Sequence, residues 1–274
     1  MSDTVAFVEE CLKKAKSGTS KINQEILGLD GMSDPPIRHL LNNLCERPDT
    51  RYLEIGIWKG SVSISALYKN SSTVKSVALI DNYSINYEDT IAAKNTLISN
   101  IDKYLVKESG YKEFSYADAR LENISDFGFY NIDSFCLEAK FLTSGSKIPA
   151  TKTCTPFAKR NIYVYDGRHT EEGQFRALTF YDHALEDEFI YIVDDWNLQT
   201  AKDGTRQAFA TLNYNVKKEW ELPFYNGYYV GVIEKNETPM TLTCPKCQGN
   251  EFSVTSSDHN VKSCQNCNWS FLYR

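Results

Sequence analysis

The chain has 274 residues and carries 30 Lys and Arg against 36 Asp and Glu, a formal charge of -6 with histidines neutral. That balance argues against a protein built mainly to grip phosphate backbones, which carries a basic surplus on one face. No stretch approaches the ~20 apolar residues that cross a bilayer, and the opening MSDTVAFVEECLKKA places acids first and lysines after them, the reverse of a secretory signal. The expected location is the cytoplasm, with no membrane contact.

Apolar residues recur at helical spacing from Asp3 to Lys16, and Gly18 follows as a stop. Asp34-Pro35-Pro36 starts a second helix with Ile37, Leu40, Leu41 and Leu44 on one face, ending near Arg47-Pro48. From there short apolar runs alternate with helical patterns. Strands are expected at Tyr52–Ile55, Val77–Ile80, Glu113–Tyr116, Asn161–Tyr165, Phe189–Val193, Val216–Leu222 and Tyr228–Glu234. Helices are expected at Ser61–Tyr68, Tyr87–Tyr104, Glu171–Leu185 and Thr205–Leu212. Strand and helix in turn predict a doubly wound α/β fold, Rossmann-like, with a mostly parallel sheet of seven strands. Only Pro223–Gly227 separates the last two strands, too short for a helical crossover, so they should form a terminal antiparallel hairpin.

Between about residues 120 and 160 the alternation is poor, which reads as an insertion, a lid or a tolerated surface loop. A polar run around Asn236–Thr241 marks a boundary. The expected organisation is an N-terminal helical cap over 1–48, an α/β domain over 49–236 and a small C-terminal unit over 240–274.

The first constellation is Glu54-Ile55-Gly56-Ile57-Trp58-Lys59-Gly60-Ser61, a strand end, two glycines and a helix start. Gly56 allows a tight turn, and Gly60 lets a ligand approach the free amides of the helix N-terminus. Asp81 ends the next strand, within the spacing at which an acid binds both hydroxyls of a ribose. Asp118 follows the third strand. Each alone could be a capping acid; in order, they fall at the strand ends where open α/β sheets bind ligands.

These residues resemble the cofactor site of class I S-adenosylmethionine-dependent methyltransferases, over roughly Asp34 to Glu234. The resemblance implies that Gly56, Gly60 and Ser61 line the methionine part of the cofactor and Asp81 holds the ribose. Asp118 would reach the adenine amino group, and Glu54 would anchor the turn through backbone amides.

The second constellation is Asp166-Gly167-Arg168-His169 after one buried strand and Asp194-Asp195-Trp196 after the next. Three carboxylates at one sheet edge repel one another unless a cation or proton intervenes. All-oxygen ligation with open positions suits magnesium, and a neighbouring histidine can take a proton from a hydroxyl that the metal has acidified. A cap on the following turn is the plainer reading of Asp194 and Asp195. The pattern also resembles the DGxH group of metal-dependent O-methyltransferases that act on sugars of macrolide and aminocoumarin products. By that resemblance Asp166, Asp194 and Asp195 bind magnesium and His169 is the catalytic base, with Asp166 beside it. Arg168 departs from the group, which often has a small or acidic residue there. Trp58, Tyr83 and Trp196 lie next to these motifs as either pocket lining or core.

The third constellation is Cys244-x-x-Cys247, sixteen residues, then Cys264-x-x-Cys267. Two such turns complete a tetrahedron around zinc, with short strands expected near Phe252, Val254 and Phe271. Four protein ligands make this a structural zinc ribbon. Between Cys244 and Cys267 two lysines balance one Asp and one Glu, which disfavours nucleic acid and leaves a protein partner or a cap on the main domain.

Together these features imply magnesium-assisted O-methylation of a small-molecule or sugar acceptor. Two alternatives stay open: a metal-independent methyltransferase acting on another nucleophile, and a silent cofactor-binding domain recruited to a complex or to nucleic acid by its ribbon. The resemblance also leaves room for a homo-oligomer.

Overall fold

The computed structural model describes residues 3–84, 89–118, 126–131, 133–135 and 159–236, with the backbone of three short strands at 252–254, 261–264 and 270–272. Helix α1 (Asp3–Lys16) matches its expected limits, and a short α2 (Gln24–Leu27) follows. Asp34 takes an extended conformation ahead of two prolines, which set the first turn of α3 (Pro35–Leu44). The central alternation runs β1 (Thr50–Ile55), α4 (Ser61–Leu67), β2 (Val74–Asp81) and α5 (Thr90–Asn100), the last continuing as a π-helical turn Ile101–Lys107. It goes on through β3 (Ser115–Asp118), β4 (Phe127–Asn131), β5 (Arg160–Tyr165) and α6 (Glu171–Tyr181). Strand β6 (Leu185–Val193), α7 (Gln199–Thr211), β7 (Tyr214–Leu222) and β8 (Tyr228–Lys235) complete the domain.

The strands form one eight-stranded sheet in the order β3-β4-β2-β1-β5-β6-β8-β7. Pairing is parallel from β3 to β6, while β8 runs antiparallel to both β6 and β7, as the short connection required. The expectation of seven strands is corrected here. The extra strand is β4, which lies within the stretch expected to be an insertion and takes the place beside β2. Its sequence FGFYN is buried over its first four residues, but Gly128 interrupts the short run, and glycine is depleted in strands. The expected third strand becomes the sheet edge, shifted to Ser115–Asp118.

Alternate residues of each central strand feed two separate cores. Tyr52, Val77, Leu79, Ile162, Val164, Ile190 and Ile192 face one side, where α1, α3 and α4 bring Val8, Leu40, Leu41, Leu44 and Ile64. Leu53, Ile55, Ala78, Ile80, Tyr163, Tyr165, Tyr191 and Val193 face the other, under Phe175, Leu178 and Tyr181 of α6 and Phe209 of α7. The period of two therefore becomes a sheet with helices on both faces. The N-terminal helices share their core with the sheet itself. The second core is rich in tyrosine, and its hydroxyls reach backbone carbonyls: Tyr163 donates to Ala177 at 3.0 Å and Tyr165 to Gly173 at 3.2 Å. Buried hydroxyls satisfied in this way keep their desolvation cost small.

Strands β9 (Phe252–Val254), β10 (Val261–Cys264) and β11 (Ser270–Leu272) form a separate antiparallel sheet; β9 and β11 fall where short strands were expected, and β10 between them was not expected. Cys264 ends β10; Cys244, Cys247 and Cys267 lie outside the described residues.

Lys235 closes the end of β8 inside the protein. Its side chain is 2% exposed and lies 3.2 Å from the Asp182 carboxylate, and it donates to the carbonyls of Asp182 and Leu185. Lys235→Ala should take the ion-pair partner from the buried Asp182 carboxylate, which also accepts from the Tyr214 hydroxyl, and lower stability by about 3–5 kcal/mol. A urea unfolding midpoint indistinguishable from that of the parent chain would contradict this account.

Candidate active site at the C-terminal edge of the sheet

Sheet order reverses beside β1, where the chain leaves for β2 on one side and returns to β5 on the other. Such a switch point opens a crevice at the C-terminal ends of the strands. Both principal constellations from the sequence meet here.

The glycine turn follows β1. Gly56 and Gly60 have φ of +82° and +85°, a region that favours glycine. A Cβ on Gly56 would lie 1.8 Å from the Asp166 carbonyl oxygen, and one on Gly60 would lie 2.4 Å from Leu97 Cδ1. Both glycines are thus demanded by packing, Gly56 against the end of β5 and Gly60 against α5. Trp58 between them and Tyr83 opposite also hold left-handed backbones, with φ of +51° and +50°.

Asp81 holds this turn. Its Oδ2 accepts from the amides of Ile57 at 2.8 Å and Trp58 at 2.9 Å, and its Oδ1 accepts from Tyr83 at 2.7 Å. Tyr83 donates its hydroxyl to the Trp58 carbonyl at 2.8 Å, and Asn100 donates to Lys59 at 3.1 Å. The expectation that Glu54 anchors the turn is corrected: Asp81 takes those amides. Glu54 is buried beneath, accepting from the Tyr52 hydroxyl at 2.6 Å. Ser61 is buried at the start of α4, 3.4 Å from Ser33.

Asp118 stands at the C-terminal end of β3, level with Asp81 through the shared pairing with Asn131. It lies two strands out, on the order of 10 Å away at about 4.8 Å per strand; its side chain is outside the described residues. The acid nearer to β2 is Asp133, just past β4. Asp133 Oδ2 accepts from Asn82 at 3.3 Å and lies 3.7 Å from the Arg168 guanidinium. That ion pair gives Arg168, the departure from the resembled pattern, a physical partner.

The acids after β5 and β6 are brought side by side because the backbone ladder continues past the strand ends. The Asp166 amide donates to Ile55 at 2.8 Å, and the Asp194 amide donates to Tyr165 at 3.1 Å. Asp195 has φ of +52°, and its amide donates to the Asp194 carboxylate at 2.8 Å. His169 Nε2 lies 3.3 Å from Asp195 Oδ2 and 3.8 Å from Asp166 Oδ1. The loop carrying it is pinned by Thr200, which donates to the His169 carbonyl at 2.6 Å, and by Thr170, which caps α6. Tyr228, at the start of β8, hydrogen-bonds Asp194. Sequence spacing did not reveal Tyr228, since only the insertion of β8 beside β6 brings it there.

Electrostatically the cluster is crowded. Desolvation, then the charges of Asp194, Asp195 and Glu54, push the Asp166 carboxyl well above its usual range. Desolvation raises Asp194 to about 6 and Glu54 to about 7. Asp166 and Asp194 are hydrogen-bonded to each other. Three carboxylates make a donor set with the chemistry of a hard divalent cation. Among the described residues, however, no group of three or more His, Cys, Asp or Glu side chains stands in metal-holding geometry. Trp196 resolves as core: it is buried with its ring 4.5 Å from that of Tyr229. Trp58 and Tyr83 are half-buried, with ring centroids 6.2 Å apart at the turn.

No family profile and no curated protein sequence matches the chain. Among solved structures it is similar to TrmN from Thermus thermophilus, at 14% identity and a TM-score of 0.48, over 77% of this chain and 52% of that one. The chain thus spans about half the length of the Thermus protein. It is also similar to the O-methyltransferase TomG from Streptomyces achromogenes in complex with SAM, at 14% identity and a TM-score of 0.45, over 82% and 90% of the two chains. An O-methyltransferase from Bacillus cereus in complex with SAH gives 11% identity and a TM-score of 0.46, over 84% and 91%. At such low identity the likeness concerns chain path alone. No helix among the described residues is long and apolar enough to cross a membrane.

The raised Glu54 carboxyl sets a pH dependence. Its folded value of about 7 stands against 4.5 for the free group, so between them the folded chain holds a proton that the unfolded chain has released. This stabilising contribution is full below the lower value and is lost as pH rises through the upper one. Glu54→Gln should therefore flatten part of the fall in urea midpoint measured from about pH 5 to pH 8; an unchanged slope would remove Glu54 from the account.

Proposed function

We propose that the chain is an S-adenosylmethionine-dependent methyltransferase acting on a hydroxyl of a small molecule or sugar. The observation that carries the reading is the contact of Gly56 with Asp166 at the switch point. It sets a clamped glycine turn, suited to a nucleoside cofactor, directly against a histidine among acids, suited to proton removal. When bound, the cofactor supplies an electrophilic sulfonium methyl.

In this reading the chain's own residues do three things. The turn from Gly56 to Ser61 receives the methionine portion, while Asp81 both holds the turn and offers the unused acceptor capacity of Oδ1 to a ribose hydroxyl. Asp118 at the outer strand end remains the candidate for the adenine end. His169 Nε2 takes the proton of the acceptor hydroxyl, and Asp195, 3.3 Å away, stabilises the imidazolium that results. Holding the acceptor oxygen in line with the methyl supplies much of the rate.

Asp166, Asp194 and Asp195 would hold magnesium, which when bound would acidify the acceptor hydroxyl. The hydrogen bond between Asp166 and Asp194 favours a second reading, a metal-independent methyltransferase in which these acids share a proton and orient the acceptor. The four cysteines Cys244, Cys247, Cys264 and Cys267 would hold one structural zinc.

Calorimetric titration of S-adenosylmethionine, with and without magnesium, tests the first claim. Binding is expected in the parent chain, and a magnesium effect lost in Asp166→Asn would support the metal; absence of cofactor binding under every condition would overturn the proposal. With a turned-over acceptor in hand, His169→Ala should cost about 10²–10⁴ in kcat, with cofactor affinity little changed.

A further inference from the structure

Five large apolar side chains stand exposed among the described residues, and three of them belong to one rim: Met32 at 54%, Leu198 at 39% and Tyr225 at 51%. Their loops are tied together around the acids. The Leu198 amide donates to the Asp195 carbonyl at 3.0 Å. Next to it, the amides of Trp196 and Asn197 donate to Gly227 and Asn226 in the β7–β8 turn, each at 3.0 Å. The Tyr225 amide in that same turn donates to the Asp34 carboxylate at 2.8 Å.

Asp34 closes the N-terminal loop that carries Met32. Buried Arg38 grips this loop from beneath, donating to the carbonyls of Leu27 at 2.9 Å and Leu29 at 3.0 Å and to Ser33 Oγ at 2.8 Å. The loop also reaches the glycine turn. A Cβ on Gly31 would lie 2.0 Å from Ser61 Oγ, and Asp30 pairs with Lys59 at 2.6 Å. One continuous rim therefore runs from the glycine turn to the acid cluster.

Charge decides what such a rim admits. Asp30, Asp34, Asp166 and Asp195 line it, whereas Arg38 is buried with its donors engaged, Lys59 is paired with Asp30 and the exposed Arg168 is paired with Asp133. A polyanion would meet repulsion here. Exposed apolar side chains grouped within a polar rim mark a ligand-binding surface.

Resting on the function proposed above, we infer that Met32, Leu198 and Tyr225 form the recognition surface for the acceptor, a small uncharged molecule whose flat apolar ring system carries the hydroxyl. The apolar body lies on these three side chains while its hydroxyl reaches His169. Nucleic acid is the wrong partner for this edge.

The test uses the full chain and dihydroxynaphthalene, an uncharged fluorescent bicycle, as the probe. Its affinity is compared between the parent and a Met32→Ser, Leu198→Ser, Tyr225→Ser triple variant, with an RNA stem-loop as the anionic counterpart. The probe should bind the parent and weaken by about tenfold or more in the variant, with S-adenosylmethionine affinity unchanged. Equal probe affinity in the two chains, no probe binding to the parent, or tighter binding of the RNA at physiological salt would overturn the inference. Failure of the cofactor to bind, with the probe still dependent on the three residues, would sink the methyltransferase reading and leave the surface standing.

Discussion

The close approach of Gly56 to the Asp166 carbonyl is the constraint on which the site depends. Only a residue without Cβ lets the end of β1 pass the end of β5 at this distance, and the left-handed backbone there turns the chain toward α4. Because the contact falls where the sheet order reverses, it brings the glycine turn and the acid cluster to one crevice. A side chain at this position would push the acid cluster away from the turn.

Around that contact the protein accepts electrostatic cost. Glu54, Asp166, Asp194 and Asp195 crowd the ends of β1, β5 and β6, and desolvation makes the carboxyls of Glu54, Asp166 and Asp194 hold protons more tightly than free ones. Left-handed backbones at Trp58, Tyr83 and Asp195 add local strain. Strain and like charge gathered at one edge, above two well-packed cores, is the distribution expected of a working site on a rigid scaffold. Tyr228, Thr200, Thr170 and Asn100 hydrogen-bond the surrounding backbone and acids.

The cap helices contribute more than a covering. Arg38 of α3 fastens the loop that bridges the glycine turn and the β7–β8 hairpin, so elements about 190 residues apart in the chain meet at one rim. That rim gives the crevice an apolar lip beside an acidic floor.

Much of this was legible in the sequence, for reasons that are local. Short apolar runs and helical patterns marked most strands and helices, because burial must show in the residues. Glycines at tight turns and acids at strand ends announced the C-terminal edge. Strand β4 was hidden because Gly128 breaks its short apolar run; it stands between β2 and β3, which places Asp118 two strands from β2. Asp81, not Glu54, takes the amides of the turn because hydrogen-bond partners of a turn depend on the neighbouring strand, not on spacing along the chain. Arg168 met Asp133, Tyr228 met Asp194 and Asp34 met Tyr225 only through the order of strands in the sheet. The sequence by itself determined the α/β alternation and the residue types that carry chemistry, since both follow from local burial and backbone freedom. Which acids share a site, and what rims it, was decided by tertiary structure, because those contacts join residues that only the sheet topology makes neighbours.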